Sequence, residues 1–272
     1  DRVEVPLKPL LGTTSRGWVV EARLQGKKTI RLLLDTGSTG LFVVERAVKK
    51  GGFTPLAEET VFGGGGSGRT KSGRGLLSTL AIGGLVFKDA LVTTTRDEFD
   101  AQGRIHGVLG IAALDGYQIT LDLDAGRLIL DAAQGEPTGE PYWSVGGQML
   151  VRATASGAPD DGLFLFDTGA THSMVASSYA STIPDAAETS AATVRTYGGN
   201  VAGAASLRGV TLRFSRASGP SEVVNRADLT HRSRLGGVEV SGFLGLDVLD
   251  GTVIRIDTTR QRVSALPATR RR

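Results

Sequence analysis

The chain has 272 residues, 40% of them hydrophobic and 22% charged, with a net charge of +3 and no cysteine. That length accommodates one large domain or two lobes of roughly 135 residues. No apolar run approaches the ~18 residues a membrane span needs. The basic residues are scattered, apart from the Arg270-Arg271-Arg272 tail, and no aromatics are interleaved with them, so neither a membrane span nor a nucleic-acid partner is expected. Without cysteine there can be no disulfide, thiol nucleophile or cysteine metal site. The 38 glycines, set among many Val, Thr, Leu and Ile, favour strands joined by tight turns. The sequence begins at Asp1 rather than Met; a cleaved signal peptide and a trimmed chain both fit, and the expected location is extracytoplasmic, periplasmic or secreted.

The first predicted elements are a strand over residues 17–24 and, across the Gln25-Gly26-Lys27-Lys28 turn, a second over 29–34. The second ends in Leu32-Leu33-Leu34 and stops at Asp35-Thr36-Gly37-Ser38. A carboxylate closing a buried strand is costly unless it is hydrogen-bonded or chemically used. A short helix is predicted at 44–50, and a glycine-rich stretch follows at 61–69. Residues 106–116 contain Val108-Leu109-Gly110. The first half then closes with a hairpin, 118–123 against 127–130.

A polar, Pro/Gly-rich linker at 133–141 separates this half from one that repeats it. A strand over 147–154 leads to Leu163-Phe164-Leu165-Phe166 and then Asp167-Thr168-Gly169-Ala170. A short helix is predicted at 177–182, Phe243-Leu244-Gly245 matches the earlier glycine element, and 252–257 pairs with 261–266 as the closing hairpin. Asp35 and Asp167 stand 132 positions apart, and residues 106–116 and 241–251 align at an offset of 135. A near-constant offset is the mark of a duplicated lobe. The reading is an all-β, bilobal chain with lobes at 1–136 and 137–272 and the site between them.

Two carboxyls facing each other cannot both ionise readily, so their pKa values are pushed apart. One member then acts as base on a water while the other protonates the carbonyl oxygen or leaving amine, and the titration belongs to the pair. Gly37 and Gly169 let the chain turn sharply and bring backbone N–H groups to the carboxylates. Thr36 and Thr168 are placed to hydrogen-bond across the two-fold, and Ser38 to bond the Asp35 carboxyl. Ala170 has no hydroxyl for the same task, so the pair is expected to be electrostatically asymmetric.

A lone Asp-Thr-Gly arises by chance in roughly one chain in ten of this length. Two, each after an apolar run and each followed 75 or 78 positions later by the glycine element, make a far more specific pattern. On these motifs the chain resembles the pepsin-like and retropepsin-like aspartic proteases, over nearly its whole length, and is most similar to a bacterial, duplicated and fused two-lobe form. The resemblance implies an acid-protease fold of two β-barrel-like lobes, an aspartic endopeptidase activity with Asp35 and Asp167 as the catalytic dyad, and support from Thr36, Gly37, Ser38, Thr168 and Gly169. It implies no cofactor and no metal, a peptide or protein substrate, and a monomer with an intramolecular pseudo-two-fold.

Such proteases cover the dyad with a hairpin flap. The first-lobe candidate is Phe62, Gly63, Gly64 and Gly65, whose glycines suit a lid as well as a plain surface loop; Tyr197-Gly198 occupies the matching place in the second lobe. The resemblance through Ala170 implies a mildly acidic optimum. His172 is read as a polar loop histidine in preference to a third catalytic group, and His106 and His231 lack metal-ligand spacing. Two further readings are a non-catalytic peptide-binding protein that keeps the fold and a narrow-specificity processing protease.

Overall fold

The computed structural model describes residues 2–10, 17–49, 51–62, 69–100, 102–132, 135–136, 138–184, 186–196, 199–201, 203–219 and 224–268. It is mainly β, as predicted, with short helices at Glu45–Val48, Ser177–Ala180, Thr230–Gly236 and Leu246–Leu249. Among the described residues no helix is long and apolar enough to cross a membrane.

The duplication seen in sequence is repeated in the strand pairing. In the first half the strand Lys28–Leu34 pairs antiparallel with Trp18–Leu24 and parallel with Gly107–Leu109, which in turn pairs antiparallel with Leu41–Val44. In the second half Gly162–Phe166 pairs antiparallel with Gln148–Ala155 and parallel with Gly242–Leu244, and Met174–Ala176 stands where Leu41–Val44 did. Each aspartate-bearing strand therefore lies between two neighbours. The apolar run that precedes Asp35 is explained by this position: Ile30, Leu32 and Leu34 are fully buried, each worth about 1.5–3 kcal/mol in burial. Phe164, Leu165 and Phe166 are buried on both faces of their sheet, as central strands of mixed sheets are.

The predicted closing hairpins form as read, Gln118–Asp122 with Arg127–Asp131 and Thr252–Asp257 with Arg262–Pro267. Their union is new. Gln118–Asp122 also pairs with Thr252–Asp257, setting Ile119 opposite Ile256 and Leu121 opposite Ile254. The strand Arg2–Pro6 flanks one side of this sheet and Glu140–Val145 the other. The two halves are thus welded through one continuous sheet.

The first-half flap candidate belongs to a long hairpin, Phe53–Phe62 against Arg69–Ile82, with Phe62 opposite Arg69. Gly63, Gly64 and Gly65 lie outside the described residues. In the second half Val194–Thr196 pairs with Gly199–Val201, and Tyr197 and Gly198, between them, also lie outside the described residues.

Candidate active site

Each aspartate sits one residue past the end of its ladder. The Asp35 N–H donates to Leu109 O at 3.0 Å, and the Asp167 N–H to Leu244 O at 2.9 Å. The chain then turns, and the turn aims its N–H groups at the side chain it has just passed. Gly37 N–H donates to Asp35 Oδ1 at 2.8 Å; in the second half Gly169 N–H and Ala170 N–H donate to Asp167 Oδ1 at 2.9 and 3.0 Å.

The two turns interlock. Thr36 Oγ1 donates to Phe166 O at 2.7 Å and accepts from Thr168 N–H at 3.0 Å; Thr168 Oγ1 donates to Leu34 O at 3.0 Å and accepts from Thr36 N–H at 3.1 Å. Both threonines are fully buried. Every donor and acceptor at the crossing is satisfied from the opposite half, which holds the two carboxyls in fixed register. Thr36→Val removes one hydroxyl and leaves a buried carbonyl and a buried N–H without partners. It is expected to cost about 2–4 kcal/mol in urea unfolding monitored by circular dichroism.

Glycine is required at both turns because the opposing carboxyl occupies the space of a side chain. A Cβ on Gly37 would lie 2.5 Å from Asp167 Cγ, and one on Gly169 would lie 2.6 Å from Asp35 Oδ2. Gly110 and Gly245 have an analogous role behind the turns, where a Cβ would meet Ser38 O at 2.6 Å or the His172 backbone at 2.7 Å. That close approach is the physical content of the repeated hydrophobic-hydrophobic-Gly element.

Both carboxyls are hemmed in by the two turns, while each residue as a whole keeps a partly accessible surface. Burial raises both above the ordinary carboxylate range. The charge of Asp167 and a hydrogen bond with it raise Asp35 further, whereas hydrogen bonds from Asp35 and the turn N–H groups, and the Arg232 charge, hold Asp167 back. The pair therefore keeps one proton where isolated carboxylates have lost theirs.

The sign of the linked stability follows. A folded pKa above the unfolded one means the native state binds more protons, so stability is full below the ordinary carboxylate range and falls as pH rises through the raised value. Asp35→Asn removes that loss. Its melting temperature is expected to exceed that of the parent protein by a margin that widens from pH 4 to pH 7, at about 2 °C per kcal/mol recovered. A margin that is constant or shrinks across this range in thermal melts would contradict the raised pair.

One expected contact is corrected. The Ser38 hydroxyl does not bond Asp35; it donates to Gly40 O at 3.2 Å, and the Ser38 backbone N–H donates to the Asp35 main-chain carbonyl at 3.1 Å. The Gly37 N–H already supplies the carboxylate with a donor, and the hydroxyl takes the carbonyl two residues on. The two halves are nonetheless asymmetric, through residues the sequence reading did not single out. Arg232, half-buried on the helix Thr230–Gly236, donates through Nη2 to Gln148 Oε1, and the buried Gln148 donates through Nε2 to Gly37 O. By strand register Gln148 stands where Gly17 does in the first half, so the second half has a polar side chain where the first has none. Ser173 and Asp247 were also missed. Ser173 donates from N–H and Oγ to Asp247 and accepts from Gly245 N–H at 2.9 Å, pinning the second turn to its glycine element.

His172 is exposed, in keeping with a polar loop residue. His106 accepts Arg31 N–H on Nδ1 at 3.2 Å, and burial lowers its pKa. Among the described residues no three metal-capable side chains cluster.

A bilobal β structure with two interlocked Asp-Thr-Gly turns defines the acid-protease class of architecture. Residues 20–113 match the aspartyl protease family. No curated protein sequence matches the chain significantly. Among solved structures, the aspartic proteinase from Irpex lacteus is similar over 99% of this chain and 98% of its own, with 15% identity and a TM-score of 0.60. Basic 7S globulin from soybean is similar over 99% and 95%, with 14% identity and a TM-score of 0.61. The chain therefore has the bilobal aspartic proteinase fold, and the sequence of its first half is similar to the aspartyl protease family.

Proposed function

We propose that the protein is an aspartic endopeptidase in which Asp35 and Asp167 share one proton and activate a water. The observation that carries this reading is the interlocked turn pair, which sets two enclosed carboxyls within hydrogen-bonding reach and raises both. Asp167, the member whose surroundings favour the charge, takes a proton from water as the water attacks the peptide carbonyl carbon. Asp35 gives its proton to the carbonyl oxygen. Collapse of the tetrahedral species passes a proton to the leaving nitrogen and restores the shared proton.

The substrate lies extended between the halves and is held by strand-like backbone hydrogen bonds. The hairpin of Phe53–Phe62 with Arg69–Ile82 serves as a lid, with the hairpin of Val194–Thr196 and Gly199–Val201 contributing from the second half. The enzyme works as a monomer with its own pseudo-two-fold, in an extracytoplasmic compartment, at a mildly acidic optimum.

A second reading, a non-catalytic peptide binder, is favoured by one observation: the Gly37 carbonyl, an acceptor beside the pair, is already bonded by Gln148. One of the two structural neighbours bears a globulin's name and the other a proteinase's, so the fold is compatible with either.

Digestion of a denatured protein mixture in ¹⁸O-water between pH 3 and 7, followed by mass spectrometry, separates the two. Endoproteolytic fragments with one ¹⁸O in each new carboxyl support the water mechanism. Peptides retained on the protein but uncut across that range would support the binder.

A further inference from the structure

Arg232 enters the chemistry above only through its charge on Asp167, and its placement calls for more. It is a guanidinium withdrawn from water: burial pushes it below its ordinary value, and the one charge that acts on it is Asp167. Among the described residues no carboxylate forms an ion pair with it. Of its five N–H donors one serves Gln148, and none of the others is a sealed-off atom without a partner, so they face open space. Gln148 is anchored in turn to Gly37 O, two residues from Asp35. The Arg232 fork is thereby held at a fixed distance from the aspartate pair by a relay of two hydrogen bonds that crosses from one half to the other.

A peptide lying beside the pair would cover this fork and take more water from it. If a neutral side chain covers it, charged donors lose hydration and gain no acceptor, which is unfavourable. A substrate carboxylate in the same place accepts two of them in a planar, charge-assisted pair. The inference rests on the proposed peptide-binding site and names what that site selects.

We infer that Arg232, positioned by Gln148, is a specificity-determining residue that selects peptides carrying an Asp or Glu side chain close to the scissile bond.

The test uses octapeptides with a non-cleavable reduced amide at the centre, carrying Glu or Gln in turn at each of the four central positions. Their binding to the intact protein is measured by calorimetry, beside cleavage of the matching normal peptides. At one position Glu is expected to bind and to raise kcat/KM by about 10-fold or more over Gln. Arg232→Gln should abolish that ratio, Arg232→Lys should keep part of it, and Arg232→Glu should reverse it in favour of Gln at the same position. Melting curves of the three variants establish that each is folded.

Equal binding of the Glu and Gln peptides by the parent protein, or a Glu preference unchanged in Arg232→Gln, overturns the inference even if cleavage is vigorous. A Glu preference without any cleavage upholds it while the peptidase reading fails. Failure to bind any of the peptides would overturn both. A merely structural Arg232 would lower kcat/KM alike for Glu and Gln peptides, and that outcome also counts against the inference.

Discussion

Asp35→Asn and Asp167→Asn are each expected to lower kcat/KM on a cleaved peptide by about 10³-fold or more, near the upper range of general acid–base contributions. The exchange is nearly isosteric, and an asparagine Oδ1 can still accept the Gly37 or Gly169 N–H that now serves Asp35 or Asp167. The turns and the threonine interlock should therefore survive. What is lost is the proton. In Asp35→Asn no group can release one to the carbonyl oxygen, and in Asp167→Asn no group can take one from water. The steady-state rates of both variants and their melting curves, measured at the parent protein's pH optimum, check this. Variants that are inactive because unfolded would be recognised by lost melting transitions.

Gly169→Ala should have a comparable effect by a different route. The added methyl would lie 2.6 Å from Asp35 Oδ2, well inside van der Waals contact. The backbone cannot yield easily, because Thr168 on one side is bonded to Thr36 and Leu34 and Ala170 on the other is bonded to Asp167. The Asp35 carboxyl is what must move. A displacement of about 1 Å in a reacting group costs roughly 10²-fold in rate, and forced overpacking adds about 1–3 kcal/mol of destabilisation. Gly84→Ala is the control: its Cβ would meet nothing nearer than Val3 Cγ2 at 4.0 Å, and both rate and melting temperature should hold. Equal kinetics for Gly169→Ala and the parent protein would mean that the two turns do not crowd each other.

Much of this site was legible in the sequence because its signals are local. An apolar run closed by Asp-Thr-Gly marks a central strand ending at a polar turn, and the 132-residue offset marks its copy. The hairpins at Gln118–Asp131 and Thr252–Pro267 were legible from alternation and turn residues. Their joining was not, since nothing local in Gln118–Asp122 says that its second partner is Thr252–Asp257. The Ser38 hydroxyl was misassigned for a similar reason: composition offers it two acceptors, and only the turn geometry chooses Gly40 O. Gln148 and Arg232 are 84 positions apart, and the helix that carries Arg232 buries none of its residues fully. It has no periodic apolar stripe to announce it. Ser173 and Asp247 likewise meet across 74 positions.

The central claim is that Asp35 and Asp167 act as one unit. It is tested most directly by kcat/KM on a single cleaved peptide for the parent protein, Asp35→Asn, Asp167→Asn and the doubly substituted protein. Residues that act as a unit are strongly non-additive. The two single variants and the double variant are therefore expected to fall to the same floor, about 10³-fold or more below the parent. A single variant that keeps activity near the parent's, or losses that multiply in the double variant, would contradict a shared-proton pair.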